Sequence, residues 1–309
     1  MLSRIAESMF WIGRYVERAE DTARILDVQT QLLLEDTSGS EETTCRNLLA
    51  IMGVEFDPDA RVDTRLVLEQ LAYDPTAPAS VAAVLAAARE SARRARETLS
   101  VAMWEALNTT HRSVVTGQFR AAGPASGFRW VRDRAALING AADATMTRDE
   151  GWQFLMLGRC LERADMTSRL VATAAYAGGI GSPWTNTLRA CGGYEAFLRT
   201  YKGAETERGA AEFLLLDRLF PRSVVFSLNR AEQCLDNLET GGRAGFQNDA
   251  LRLIGRTRAD LEYRSLSDVV ADLPGEMEKL QRTCALATDA VTRRFFAGSE
   301  GTNWQGGRV

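Results

Sequence analysis

Apolar residues recur at steps of three and four along almost the whole chain, and strict alternation of apolar and polar positions is nearly absent. The first segment shows the pattern best. Leu2, Ile5, Met9, Ile12, Val16, Ala19, Ala23 and Leu26 form one continuous stripe on a helix running from about residue 3 to 35, with Ser3 as its N-cap. Shorter helices follow over 41–52 and 62–73, and the alanine-rich stretch 79–112 reads as one broken helix or two consecutive ones. Segment 113–126, rich in glycine and carrying Pro124, reads as a loop before helix returns over 128–146. Thr147 and Glu150 form a capping-box pattern that opens a long helix to about Tyr176. Further helices are expected over 183–201, 206–219, 222–239, 247–263 and 266–297. The pattern predicts an all-α fold.

Breaks fall at Thr37-Ser38-Gly39-Ser40, at Asp57-Pro58, at Asp74-Pro75 and at Gly178-Gly179-Ile180-Gly181. The glycine-rich stretch from Gly298 is expected to be a flexible tail over 298–309. What remains, residues 1–297, reads as a single helical domain with halves of about 1–146 and 147–297.

Composition narrows the class without setting the function. Hydrophobic residues make up 45% and charged residues 25%, the balance of a globular chain that can bury a sizeable core. A net charge of -4 lacks the basic excess of a nucleic-acid binder. No segment offers 18 uncharged apolar residues in a row, and Glu7 and Arg14 interrupt the N-terminus where a signal peptide needs an apolar run. The five cysteines are scattered and never in a CxxC pair, which suits a reducing cytoplasm and neither a zinc site nor a disulfide framework. Of the 37 basic residues, only Lys202 and Lys279 are lysine.

The strongest signal is internal repetition. Residues 13–26, GRYVERAEDTARIL, and residues 158–171, GRCLERADMTSRLV, are identical at seven of fourteen positions with a constant offset of 145. The shared residues include Gly13/Gly158, Arg14/Arg159, Glu17/Glu162, Arg18/Arg163, Thr22/Thr167 and Arg24/Arg169. The apolar stripe repeats as well, so the fold is expected to be a single bundle with an internal pseudo-twofold duplication. A fragment, Asn229-Arg230-Ala231-Glu232, resembles a third copy of the Glu-Arg segment.

On a helix, Arg14, Glu17, Arg18, Asp21 and Arg24 share an arc of about 120° opposite the apolar stripe. A solvated face laced with i,i+4 ion pairs is the simplest account. Against it, the same arc carries Phe10, Trp11 and Ile25 in one copy and Leu155, Met156, Met166 and Leu170 in the other. A helix apolar on both sides is enclosed by neighbours, and enclosed charges must be paired. Two readings follow. The arginines 14, 18, 24, 159, 163 and 169 and their carboxylates form a buried network that holds the fold. Alternatively they line a binding or catalytic cleft in which the arginine forks hold a carboxylate or phosphate bidentately, with Glu17 and Glu162 as candidate catalytic acid/base groups or as residues that orient the arginines.

Other chemistry is missing from the chain. His111 is the only histidine, which removes histidine-dependent triads and the Glu-x-x-His di-iron pattern. No phosphate-binding glycine loop is present, so no nucleotide cofactor is expected. No metal site is expected either, although a carboxylate-only magnesium site on Glu17 and Glu162 stays open.

The opening MLSRIAESMFWIGRYVERAEDTAR and the internal FLMLGRCLERADMTSRL resemble the bacterial alpha-E domain family, a helical domain named for its Glu-Arg motif. Met103-Trp104-Glu105-Ala106-Leu107-Asn108 and the segment at 229–232 are similar to its pattern too. The resemblance implies an association with circularly permuted ATP-grasp ligases, often with a transglutaminase-like peptidase nearby. It therefore implies a helical partner subunit in peptide or amide-bond synthesis that binds the ligase or its peptide or amino-acid substrate through the paired Glu-Arg cluster, or an enzyme of peptide modification whose cleft the Glu-Arg motifs line.

Overall fold

A computed structural model of the chain describes residues 1–35, 41–57, 59–176, 182–202, 206–239 and 248–296. The breaks expected at 37–40, at Pro58 and at 178–181, and the tail from Gly298, lie outside the described residues. Among the described residues the structure contains α-helices and no strand, so the expected all-α bundle is what the chain forms. The helices are α1 (Ser3–Glu35), α2 (Glu41–Ile51), α3 (Thr64–Leu68), which continues as a π-helical segment over Glu69–Tyr73, α4 (Val81–Arg94), α5 (Val101–Val115), α6 (Gln118–Ala121), α7 (Pro124–Thr145) and α8 (Glu150–Tyr176). After them come α9 (Pro183–Ala190), α10 (Tyr194–Tyr201), α11 (Glu207–Leu216), α12 (Val224–Leu238), α13 (Asp249–Tyr263), α14 (Leu266–Ala271) and α15 (Leu273–Phe295).

The chain forms two compact units. Of the described residues, one comprises Met1–Arg14 and 147–296, and the other comprises Tyr15–Met146. In the first, α8 packs on α12 and α15, and α13 packs on the same two helices. In the second, α5 packs on α4 and α7, and α6 closes against α5 and α7. The order of elements is the same in both. A long helix (α1, α8) and some short ones precede α4 and α12, of 14 and 15 residues. Then come α5 and α13, each of 15 residues, a short helix, and α7 and α15, of 22 and 23 residues. The duplication read from fourteen residues therefore extends through the helix order.

Several boundaries depart from the periodic pattern, each for a local reason. The supposed loop at 113–126 contains α6 and the first turn of α7. Gly117 and Gly123 take left-handed φ of 78° and 73°, which isolates α6, and Pro124 sits in the first turn of α7. The cap of α8 is Asp149, whose Oδ1 accepts the Trp152 N–H at 3.2 Å, while Thr147 donates its hydroxyl to the other Asp149 oxygen. The segment 183–201 divides into α9 and α10 at Gly192-Gly193, where the Gly193 N–H bonds back to the Leu188 carbonyl at 2.7 Å. Segment 266–297 divides at Asp272, which caps α15 with Pro274 in the first turn. Ser3 lies inside α1, and the Leu2 carbonyl accepts the N–H groups of Ile5 and Ala6.

A second repeated feature joins the short helices to α4 and α12. Asp74, Pro78, Ser80, Val81 and Leu85 recur as Asp217, Pro221, Ser223, Val224 and Leu228, now with an offset of 143. Ser80 accepts the Ala83 N–H and donates to the Asp74 carbonyl at 2.5 Å; Ser223 accepts the Phe226 N–H and donates to the Asp217 carbonyl at 2.5 Å. Both serines are fully buried, so each hydroxyl closes a turn and caps a helix together. Ser223→Ala and Ser80→Ala should each lower stability by about 1–2 kcal/mol in urea unfolding. A loss of only a few tenths would show that water replaces these bonds.

Candidate functional site

The candidate residues lie on α1 and α8, and within the first unit a glycine pair sets how the start of α1 meets α8. A Cβ built on Gly13 would lie 2.0 Å from the Leu155 carbonyl oxygen, and one on Gly158 would lie 2.0 Å from the Phe10 carbonyl oxygen. Leu155 and Gly158 are Phe10 and Gly13 advanced by the repeat offset of 145, so the contact maps onto itself under the repeat. Backbone touches backbone at this crossing, an approach that only glycine permits.

One residue beyond the crossing, the Arg14 side chain enters the interior of the first unit. Its Nε donates to Glu162 Oε2 at 2.6 Å, and its Nη1 donates to Thr288 Oγ1 at 2.6 Å. The Thr288 hydroxyl in turn donates to the Cys284 carbonyl at 2.8 Å. The Trp11 ring lies 5.7 Å from the guanidinium carbon. Burial works against the Arg14 charge, and the Glu162 and Asp165 carboxylates more than offset it, so the arginine pKa is raised. Burial pushes the neighbouring Cys284 thiol far above its ordinary range and leaves it an unreactive thiol.

The other members of the motif have separate tasks. Arg163 Nη1 donates to the Pro221 carbonyl at 3.1 Å, and Thr167 Oγ1 donates to the Arg222 carbonyl at 3.0 Å. Both therefore hold the Asp217–Ser223 turn that leads into α12. Arg169 pairs with Asp165 at 2.9 Å; burial opposes its charge most, Asp165 outweighs that, and its pKa is raised. In the second unit the equivalent Arg24 bonds Glu20 at 2.8 Å, and Asp27 pairs with Arg132 at 3.0 Å.

The enclosure argued from the two-sided apolar pattern is present. Glu17 and Glu162 are 0% exposed, and Arg14, Arg18 and Arg163 are buried. Arg159 is half-buried, and the side chains of Arg24 and Arg169 keep 23% and 19% of their surface. Sequence reasoning missed Thr288, for which no local signal exists, and the Pro221 turn, which the offset-143 repeat could have exposed. The fragment at 229–232 lies in α12, in the register of residues 86–89 of α4, and is therefore no third copy of the α1 motif. His111 lies in the last turns of α5, where burial lowers its pKa, with Arg89 adding to the effect. Among the described residues, no group of three or more His, Cys, Asp or Glu side chains gathers to hold a metal ion. No described helix is long and apolar enough to cross a membrane.

Residues 1–296 match the family described as Alpha-E, a predicted alpha-helical domain with a conserved ER motif. The chain belongs to the Alpha-E family. The chain holds Glu-Arg pairs at Glu17-Arg18, Glu162-Arg163 and Glu207-Arg208, of which the first two are related by the repeat. The chain is also similar to uncharacterized proteins of Mycobacterium bovis and of two strains of Mycobacterium tuberculosis, at 26% identity over 262 residues. That match takes in 76% of this chain and 30% of each relative, so the Alpha-E chain spans less than a third of their length. No solved structure matches it.

The repeat makes a paired test of the Alpha-E motif available. Thr22 and Thr167 are equivalent and both buried, but the Thr22 hydroxyl has no hydrogen-bond partner among the described residues, whereas Thr167 holds the Arg222 carbonyl. Thr167→Val should cost about 1 kcal/mol, and Thr22→Val should be neutral or slightly stabilising in the same urea titration. Equal losses at both positions would show that the Thr167 bond contributes nothing of its own.

Proposed function

We propose that this Alpha-E chain is a helical partner subunit of an ATP-grasp-type amide or peptide ligase, binding the ligase or its peptide substrate. The observation that carries the reading is the length relation: the curated relatives place this region within a polypeptide more than three times as long. A domain carried within a larger chain is suited to work with what accompanies it. The ligase is named by the family resemblance, and a transglutaminase-like peptidase is a second partner on the same ground.

In this reading the Glu-Arg helices hold the module in shape. Arg14 and Arg163 already spend their forks on Glu162, Thr288 and the Pro221 carbonyl. Arginine–substrate contact falls to Arg24 and Arg169, equivalent in the repeat and both still reached by solvent. Full burial of Glu17 and Glu162 supports the partner over the alternative, an enzyme that uses them as acid and base.

Co-expression with a circularly permuted ATP-grasp ligase from the same genome tests the reading. A complex should co-elute in size-exclusion chromatography, and the Alpha-E chain alone should neither bind nor hydrolyse ATP. Clean separation of the two proteins at micromolar concentration would overturn it.

A further inference from the structure

Helices α13 and α15 pack side by side and leave a groove of 540 Å³ on the first unit. Leu261 and Leu280 line it, both buried, and the hydroxyl-bearing Thr257 and Thr283 flank them. Its charged lining consists of Arg256, Asp260 and Arg264 from α13 and Glu276 and Lys279 from α15. The internal pairing is specific. Arg264 bonds both Asp260 and Glu276, at 3.0 and 2.8 Å, and Lys279 bonds Glu276 at 2.8 Å. Arg256 makes no ion pair among the described residues. Three cations thus face two carboxylates, and the unmatched positive charge lies on an exposed arginine at the groove wall.

We propose that this groove binds the carboxylate of a peptide, held by Arg256 and Lys279, with the adjoining residue lying between Thr257 and Thr283. The excess of a single positive charge matches a carboxylate. Phosphate carries about 1.5 to 2 negative charges at neutral pH, and the two resident carboxylates would repel it. The volume lies in the range of small-ligand sites, about 300 to 1,000 Å³, and far exceeds what a lone anion fills. Thr257 and the exposed oxygens of Asp260 can accept the N–H groups of a peptide backbone. The inference stands apart from the partner reading, because it concerns the chain by itself.

The test titrates the whole chain with three acetylated tetrapeptides ending in leucine: one with a free C-terminal carboxylate, its C-terminal amide, and an amide carrying an internal glutamate. At least one carboxylate-bearing peptide should bind with a Kd below about 1 mM. Binding of the free-terminus peptide assigns a C-terminal carboxylate, and binding of the glutamate peptide an acidic side chain. Arg256→Ala and Lys279→Ala should each weaken it at least tenfold. Arg252→Ala, which breaks only the Asp249 pair outside the groove, should leave it unchanged. All three side chains are exposed, so circular dichroism should show native helix in every variant. Failure of both carboxylate peptides to bind, equal binding of the uncharged amide, unchanged affinity in Arg256→Ala, or tighter binding of inorganic phosphate would each overturn the proposal.

Discussion

Gly158→Ala, and separately Gly13→Ala, should lower the unfolding free energy by about 3 kcal/mol or more, read from the urea midpoint. The added methyl would sit 2.0 Å from a carbonyl oxygen of the opposing helix. That oxygen belongs to backbone and cannot swing aside as a side chain would, so the two helices must separate. The sign of the effect is itself diagnostic. Inside a helix, alanine is about 1 kcal/mol better than glycine, so an unconstrained site gains stability from this change. Gly140 in α7 provides that reference, since a Cβ there would meet nothing within 4 Å. Gly140→Ala should therefore stabilise by about 0.5–1 kcal/mol. The double variant at Gly13 and Gly158 should cost less than the sum of the two, because once one methyl has parted the helices the second finds room. Stabilisation by Gly158→Ala would show that the backbones do not touch.

The second large effect is expected at Glu162. Glu162→Gln keeps the shape of the side chain and removes its charge, taking from the buried Arg14 the larger of the two carboxylate contributions that offset its burial and leaving Asp165. Loss of one partner from a buried pair costs about 3–5 kcal/mol. Removing both together should cost much less. In Arg14→Met with Glu162→Leu the two paired charges leave together, while Thr288 keeps its bond to the Cys284 carbonyl and Asp165 keeps Arg169. That double variant should unfold within about 1–2 kcal/mol of the wild type. Arg14→Lys should fail to restore the native value, since a single ammonium cannot reproduce the fork that reaches Glu162 and Thr288 together. If the double variant is as unstable as Glu162→Gln, the cost lies in packing and not in the charge.

Legibility differs between the helices and their ends. The bodies of α1 and α8 follow from steps of three and four, because each must bury a face and the spacing of that face is a local property of the helix. Their charged arcs were also readable as enclosed, since Phe10 and Trp11 on one copy and Leu155 and Met166 on the other leave no polar side. The ends were less readable. Helix α11 stops at Leu216 because Asp217 Oδ1 accepts the N–H groups of Leu219 and Phe220, and nothing in apolar spacing registers a side chain that competes for backbone bonds. Asp149 and Asp272 act in the same way at the starts of α8 and α15. The turn of Asp74–Ser80 and Asp217–Ser223 was visible only to a repeat search that tolerates a changed offset.

By itself the sequence determined that this protein is helical, that it is internally duplicated, and that its Glu-Arg faces are enclosed. Each of these depends on residues close along the chain or on two segments compared with each other. The tertiary structure decided which atoms these charges meet. The repeat aligns Arg14 with Arg159 and Arg18 with Arg163, and it is the fold that sets a carboxylate 148 positions away against Arg14 and the Pro221 carbonyl against Arg163. The reason is range. Helical periodicity is set within a few residues, whereas a hydrogen bond needs two atoms within about 3 Å, and distant atoms reach that separation only once the helices have crossed. The glycines that allow the crossing stand in the sequence as two small residues; the carbonyl oxygens they meet appear only in the fold.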